Sequence, residues 1–321
     1  MKRTLSPSHR LRQVGLTLVE LMVAMLLGLV VIGAVVSVLL TSRQSYTTTG
    51  GLSQLQDNAR IAFELMARDI RQAGSTPCGN SAVNDMLAGN GWYRWVNGAG
   101  LFGVNDAANL DPLPATPAPS GGFAALVTRG AGMVSGNRVT PGAACTAIVP
   151  MQLAPSDVDI AANDLVLACD GTQSYIFQAA AFSGGLPMAG GGTPGNSSAQ
   201  LASCQSFSPS AYVAPYHADA WYVGPAGAGA PNGTLSLYRA HYAGNALVSD
   251  EIVRGVTNLQ VSYLTAGPNL VAAGDIAAAA WNTVSAVHLT LTLQTVTNPQ
   301  NVNAAAQERL VRTFDTTIRV R

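Results

Sequence analysis

Apolar and polar positions follow three different patterns along the chain. From Leu16 to Leu40 almost every residue is apolar, and Glu20 carries the one charge. The uncharged run from Leu21 to Leu40, at about 1.5 Å per helical residue, reaches roughly 30 Å, the thickness of a bilayer core. From Leu52 to Ala73 the apolar residues narrow to a stripe: Leu52, Leu55, Ala59, Ala62, Met66, Ile70 and Ala73 recur at steps of three and four. That spacing predicts an amphipathic helix. Arg60, Glu64 and Arg68 form a charged ridge along it, with Glu64 ahead of Arg68 in the favourable order. Gly74 and Pro77 end it. The simplest geometry is one helix from Leu16 to Ala73, about 87 Å long if unbroken. A hinge at Gly50-Gly51, followed by a separate soluble helix, is the alternative.

Beyond Ser75 the period changes. Ser75 to Gly142 is rich in Gly, Ala, Asn and Pro and reads as loop. It contains a turn at Ala118–Gly122, a strand over Ala124–Arg129, and the cluster Trp92, Tyr93, Trp95, expected to plug a local core. Asp164 to Ala179 predicts a hairpin turning at Asp170-Gly171, because Gly accepts positive φ. Gly184 to Ala202 reads as a surface loop. Ala220–Val223 and Thr234–His241 read as strands around the turn Gly224–Gly233. In the last third, Leu259, Val261 and Tyr263 alternate with polar neighbours. So do Val287, Leu289, Leu291 and Leu293, and then Leu310, Phe314, Ile318 and Val320. Period two means half-buried antiparallel strands with one wet face.

Charge sharpens this division. Lys2, Arg3, Arg10 and Arg12 precede the apolar run with no acid among them, so this flank should stay cytoplasmic and the rest should face outward. The 321 residues carry 17 basic and 17 acidic groups, 11% charged in all, against roughly 25% in ordinary soluble domains. Without the first fifteen residues, 13 of the 17 basic groups face all 17 acids, and no Lys remains. Such a surface lacks the basic footprint that nucleic-acid binding needs.

Glu20 is out of place in a plain anchor. A carboxylate costs about 2.5–3.5 kcal/mol at a bilayer centre, and less towards an interface. It calls for a partner charge. A cut after Gly15 would supply one, since the new amine of Leu16, with a pKa of about 7.7–8.0, is mostly protonated at neutral pH. Glu20 would then be the fifth residue. Within one chain the two charges would partly neutralise each other; between chains they would set a one-turn axial offset. The basic leader, Gly15, Leu16-Thr17-Leu18-Val19-Glu20 and the long apolar run together resemble the processing site of type IV prepilins and type II secretion pseudopilins. That resemblance implies cleavage after Gly15 by a membrane prepilin peptidase, which also methylates the new N-terminus at Leu16, where the family usually has Phe. It further implies docking of Glu20 against a neighbouring subunit. An ordinary signal anchor leaves Glu20 unexplained. A secretory signal peptide should have an apolar core of about 7–15 residues ending in a small-x-small site, and this run is far longer. A second stretch of likeness, Gly255–Val261 with Arg312–Ile318, resembles the C-terminal region of PilW-type minor pilins.

The four cysteines, Cys78, Cys145, Cys169 and Cys204, all follow the apolar segment and contain no C-x-x-C. An even count in an exported domain favours two disulfides. Three connectivities are open; the sequential one, Cys78–Cys145 with Cys169–Cys204, is favoured. His9, His217, His241 and His288 have no metal-ligand spacing, and no nucleophile elbow or phosphate loop occurs. The paired acids Asp157/Asp159 and Asp250-Glu251 read as surface residues rather than calcium ligands. No catalysis, cofactor or metal is expected.

The expected architecture is α+β, with a long N-terminal helix packed on an antiparallel β-sheet head carrying long loops. The expected segments are leader 1–15, membrane or filament-core helix 16–40, amphipathic extension 41–74 and head 75–321. The resemblance implies a minor pilin of a type IV pilus that takes part in priming assembly. It would have its N-terminus cytoplasmic and its head periplasmic at the inner membrane, and would later sit in the pilus, at its tip. Its partners would be other minor and major pilins and the prepilin peptidase/methyltransferase. A J-type secretion pseudopilin, or a pilus-associated adhesin with a ligand-binding head, is the alternative.

Overall fold

The computed structural model describes residues 17–79, 83–96, 98–114, 116–131, 137–140, 152–153, 160–180, 191–197, 211–295 and 309–320. Helix α1 (Leu18–Gln72) is one continuous element of 55 residues, about 82 Å long. It passes through Gly50 and Gly51 without a break, so the hinge is not adopted. Thr17 caps its start, with its hydroxyl accepting from Glu20 N at 3.3 Å. Gly74, at φ +77°, ends it in the left-handed conformation that glycine tolerates, and Gly74 N donates to Arg129 O.

Fourteen strands follow among the described residues. They are β1 (Val83–Asp85), β2 (Leu101–Val104), β3 (Ala125–Ala131), β4 (Asn137–Thr140), β5 (Gln152–Leu153), β6 (Leu165–Cys169), β7 (Ser174–Gln178), β8 (Ala211–Pro225), β9 (Leu235–Ala243), β10 (Ala246–Arg254), β11 (Val256–Leu264), β12 (Leu270–Ala272), β13 (Ala286–Gln294) and β14 (Val311–Arg319). They form two sheets. The smaller runs β12-β11-β13-β14, entirely antiparallel, and holds the period-two strands of the last third. The larger runs β1-β7-β6-β8-β3-β2, with β9 and then β10 joined to β8, and with β4 pairing β8 and β5. Its one parallel pair is β1 with β7.

The 15-residue strand β8 is the spine of the larger sheet. Its alternate residues serve two cores. Trp221 and Val223 face α1, whereas Tyr216, Ala218, Ala220 and Tyr222 face the other way. The α1 stripe of Leu55, Ala59, Ala62, Met66 and Ile70 is buried in the first core, between the larger sheet and Leu259, Val261, Val287, Leu289 and Leu291 of the smaller one. The helix therefore lies between two sheets rather than on one, because both sheets present an apolar face and the stripe alone covers neither.

The second core corrects the reading of Ser75–Gly142 as loop. That stretch contains β1–β4, and Leu87, Trp92, Tyr93 and Leu110 lie as a layer over the far face of the larger sheet. Its irregular backbone is hydrogen-bonded: Trp92 N donates to Asp111 O, Trp92 Nε1 to Pro112 O and Tyr216 Oη to Tyr93 O. The predicted hairpin is β6–β7, but its turn works differently. Gly171 is not among the positive-φ glycines. Asp170 Oδ1 instead accepts from Thr172 N, Thr172 Oγ1 and Gln173 N. Strand β10, unmarked in the sequence reading, pairs β9 with a bulge at Glu251–Val253.

Candidate functional site

Two regions carry functional expectations: the exposed half of α1, and the joint where α1 meets the head. Gly15 and Leu16 lie outside the described residues, as do His9, Cys145, Cys204, Asp157 and Asp159. Glu20 lies in the first turn of α1, exposed, with no ion pair among the described residues. A carboxylate there gains about 0.3–1 kcal/mol from the helix dipole. Thr17 and Glu20 also form the T-x-x-E spacing of a helix start, which was legible in the sequence. From Leu18 to Leu40 the large apolar side chains are exposed, among them Leu29 at 75% and Val31 at 61%. This is the one helix among the described residues long and apolar enough to cross a membrane. Apolar surface of that extent requires a cover.

At the other end α1 is tied into the head by a disulfide that differs from the favoured pairing. Cys78 bonds Cys169, with Cα atoms 6.0 Å apart and a separation of 91 positions in sequence. Cys78 follows the turn after α1 and Cys169 ends β6, so the bond joins the helix exit to the middle of the larger sheet. Proximity here is set by sheet order, not by spacing along the chain, and the sequential pairing could not anticipate it. The approach is close at glycine. A Cβ on Gly130 would meet Gln72 O at 2.6 Å, and one on Gly100 would overlap the backbone of Gly74.

Beside this joint lies a buried ion cluster. Asp69, 4% exposed, accepts from Trp221 Nε1 at 3.1 Å and from Arg239 Nη2 at 3.3 Å. Arg239 Nη2 also lies 3.0 Å from Asp219 Oδ2, and Arg68 lies 3.6 Å from Asp69. Burial pushes the Asp219 carboxyl up, and Arg239 only partly opposes this, leaving it at about 6. Arg129, buried, donates Nε to Trp92 O and Nη1 to Ala99 O, and loss of solvent lowers its pKa.

These groups line a cleft of about 630 Å³ between the last turns of α1 and strands β3, β8 and β9. Strand register explains its polarity. Thr128, Asp219 and His241 sit directly opposite one another across β3, β8 and β9, and therefore share one face. One step closer to the apolar core, Leu126, Trp221 and Arg239 do the same. The face is apolar where α1 covers it and polar where α1 ends. The cleft opens where β6 leaves β8 at Pro215 and β9 joins it at Asp219.

His217 and His241, distant in sequence, line this cleft together; spacing arguments could not bring them there. His288 lies on the wet face of the smaller sheet, its Nδ1 2.9 Å from Thr317 Oγ1. Asp250 and Glu251 do not act as a pair. Glu251 Oε1 accepts from Ser236, Gly227 N and Arg254, while Asp250 lies 3.7 Å from His241. Burial raises the Glu251 pKa, but these donors outweigh it and hold it low. Among the described residues no cluster of His, Cys, Asp or Glu has metal-holding geometry. Trp92 and Tyr93 are buried and Trp95 half-buried, as a core plug requires. No protein-family model, curated protein or solved structure matches the chain.

Proposed function

We propose that this chain is a minor pilin of a type IV pilus, a low-copy subunit that joins other pilins in the complex priming assembly. The observation that carries the reading is the division of α1. One unbroken helix has a bare apolar half bearing a single carboxylate in its first turn, and a second half buried in a head. A filament subunit needs both halves, since the bare half leaves the membrane only if helices of neighbouring subunits cover it. Glu20 supports the same reading, because a carboxylate in an apolar bundle is tolerated when a partner charge meets it. The amine created by cleavage after Gly15 is that partner. The bulky two-sheet head fits poorly at every position of a packed filament and suits a tip.

Mass spectrometry of the mature protein tests processing: the first residue should be Leu16, N-methylated. A chain retaining Met1, or beginning after Leu40, removes the reading. Surface piliation then tests the role. A deletion strain should lose pili, and complementation with Glu20→Ala should give a processed, folded subunit that restores them poorly. Full rescue by Glu20→Ala removes the docking mechanism. Loss of exoprotein release with intact piliation would assign the chain to a secretion pseudopilus instead.

A further inference from the structure

We propose that the cleft beside the helix–head joint is a binding site for an uncharged polyhydroxylated ligand, a saccharide. Among the described residues, two buried polar atoms on its floor have no hydrogen-bond partner: Thr128 Oγ1 and His241 Nδ1. Thr128 is only 3% exposed. His241 Nδ1 is 3.7 Å from Asp250, beyond hydrogen-bond reach. A buried polar group without a partner costs about 1–3 kcal/mol. Two of them facing one cleft mark a surface built to be completed from outside.

Charge decides what completes it. Arg68 and Arg239 are matched by Asp69 and Asp219 within 3.6 Å. Arg129 also reaches the wall, but its guanidinium donates away from the cleft to Trp92 O and Ala99 O. An anion would meet two carboxylates and a cation two guanidinium groups. A hydroxyl, which both donates and accepts, suits a wall that alternates fixed donors with fixed acceptors. The ion pairs hold these groups in place, so little ordering is needed on binding. The volume falls within the range of about 300–1,000 Å³ typical of small-molecule sites. Gln72, exposed at the rim on α1, adds a side-chain amide. The proposal stands independently of the pilus reading, since a free sugar and a surface glycan present the same chemistry.

The test uses the full chain in a detergent without a sugar head group, titrated with maltose, lactose, mannobiose and chitobiose. At least one should bind saturably. Thr128→Val, which replaces the orphaned hydroxyl by a methyl of similar size, should weaken that binding at least tenfold with an unchanged or raised melting temperature. Gln72→Ala, on the exposed helix surface, should weaken it severalfold and serves if Thr128→Val folds poorly. Acetate and inorganic phosphate should not compete. If the preferred disaccharide binds, immobilising it on beads should capture the protein, which extends the site to surface glycans; failure of the beads with free-sugar binding intact limits it to free sugars. Absence of saturable binding by all four, binding that neither substitution changes, or displacement by phosphate would each overturn the proposal.

Discussion

The two halves of α1 share one backbone and opposite surroundings. Around Leu29 and Val31 the side chains are bare; around Met66 and Ile70 they are fully enclosed by two sheets. The first half is apolar on all sides and the second only along a stripe, so the head accepts the half that carries less apolar surface. What distinguishes them is direction. A stripe specifies one orientation against a partner with a matching face, whereas an all-round apolar surface suits a solvent such as lipid, or several helices at once. The halves also differ in polar fixing, since the second ends in Asp69, held by Trp221 and Arg239.

The contrast can be broken in several ways. The largest effect should come from the disulfide. Cys78→Ser with Cys169→Ser frees a loop of some ninety residues, and a loop near that length contributes about 4–5 kcal/mol in a chain-entropy estimate. Denaturant unfolding of the head should show that loss, and peptide mapping without reduction should recover Cys78 linked to Cys169; linkage of Cys78 to Cys145 would refute the joint. Next, Met66→Ala should lower head stability by about 2–5 kcal/mol through the cavity it leaves, while Leu29→Ala should leave the melting temperature of the head in place. Equal losses from the two would erase the distinction between the halves.

A smaller effect concerns the ion cluster at the buried end. The folded Asp219 pKa, about 6, lies above its ordinary 3.8. Between those values the folded state binds more protons than the unfolded state, so this group's contribution to stability falls as pH rises through the window. The melting temperature of Asp219→Asn minus that of the unaltered chain should therefore climb from pH 4 to about 6.5 and then level. A flat difference would mean that Asp219 is not held in the cluster as described. The smallest effect lies at the boundary. Gly50 is helical and exposed, with open space where a Cβ would stand, so Gly50→Ala should stabilise the middle of α1 by about 0.5–1 kcal/mol. Slower hydrogen exchange around residues 46–54 would register this, and faster exchange would mean that the halves are flexibly joined.

Much of this division was legible in the sequence, because periodicity reports what a segment faces. The stripe from Leu55 to Ile70, the alternation in β11, β13 and β14, and the β6–β7 hairpin all follow from local spacing. The second sheet face and its covering layer were hidden, since Leu87, Trp92 and Leu110 lie on irregular backbone whose hydrogen bonds are made over long distances. The turn at Asp170-Gly171 was placed by its sequence, but its Asp does the work assigned to its Gly. The cleft was least legible. Thr128, Asp219 and His241 share a face only through strand register, and Cys78 meets Cys169 only through sheet order. The short polar signal that local reading overlooked was Thr17 with Glu20.

The Cys78–Cys169 bond also sets how the molecule carries force. A pull applied along α1 leaves the helix at Ala73, crosses a few residues and enters β6 through a covalent bond. The stretch between the two cysteines, including the layer around Trp92, is shunted out of the tensile path. The loop that the bond closes, with its covering layer, adds nothing to the length to which a pull can extend the head.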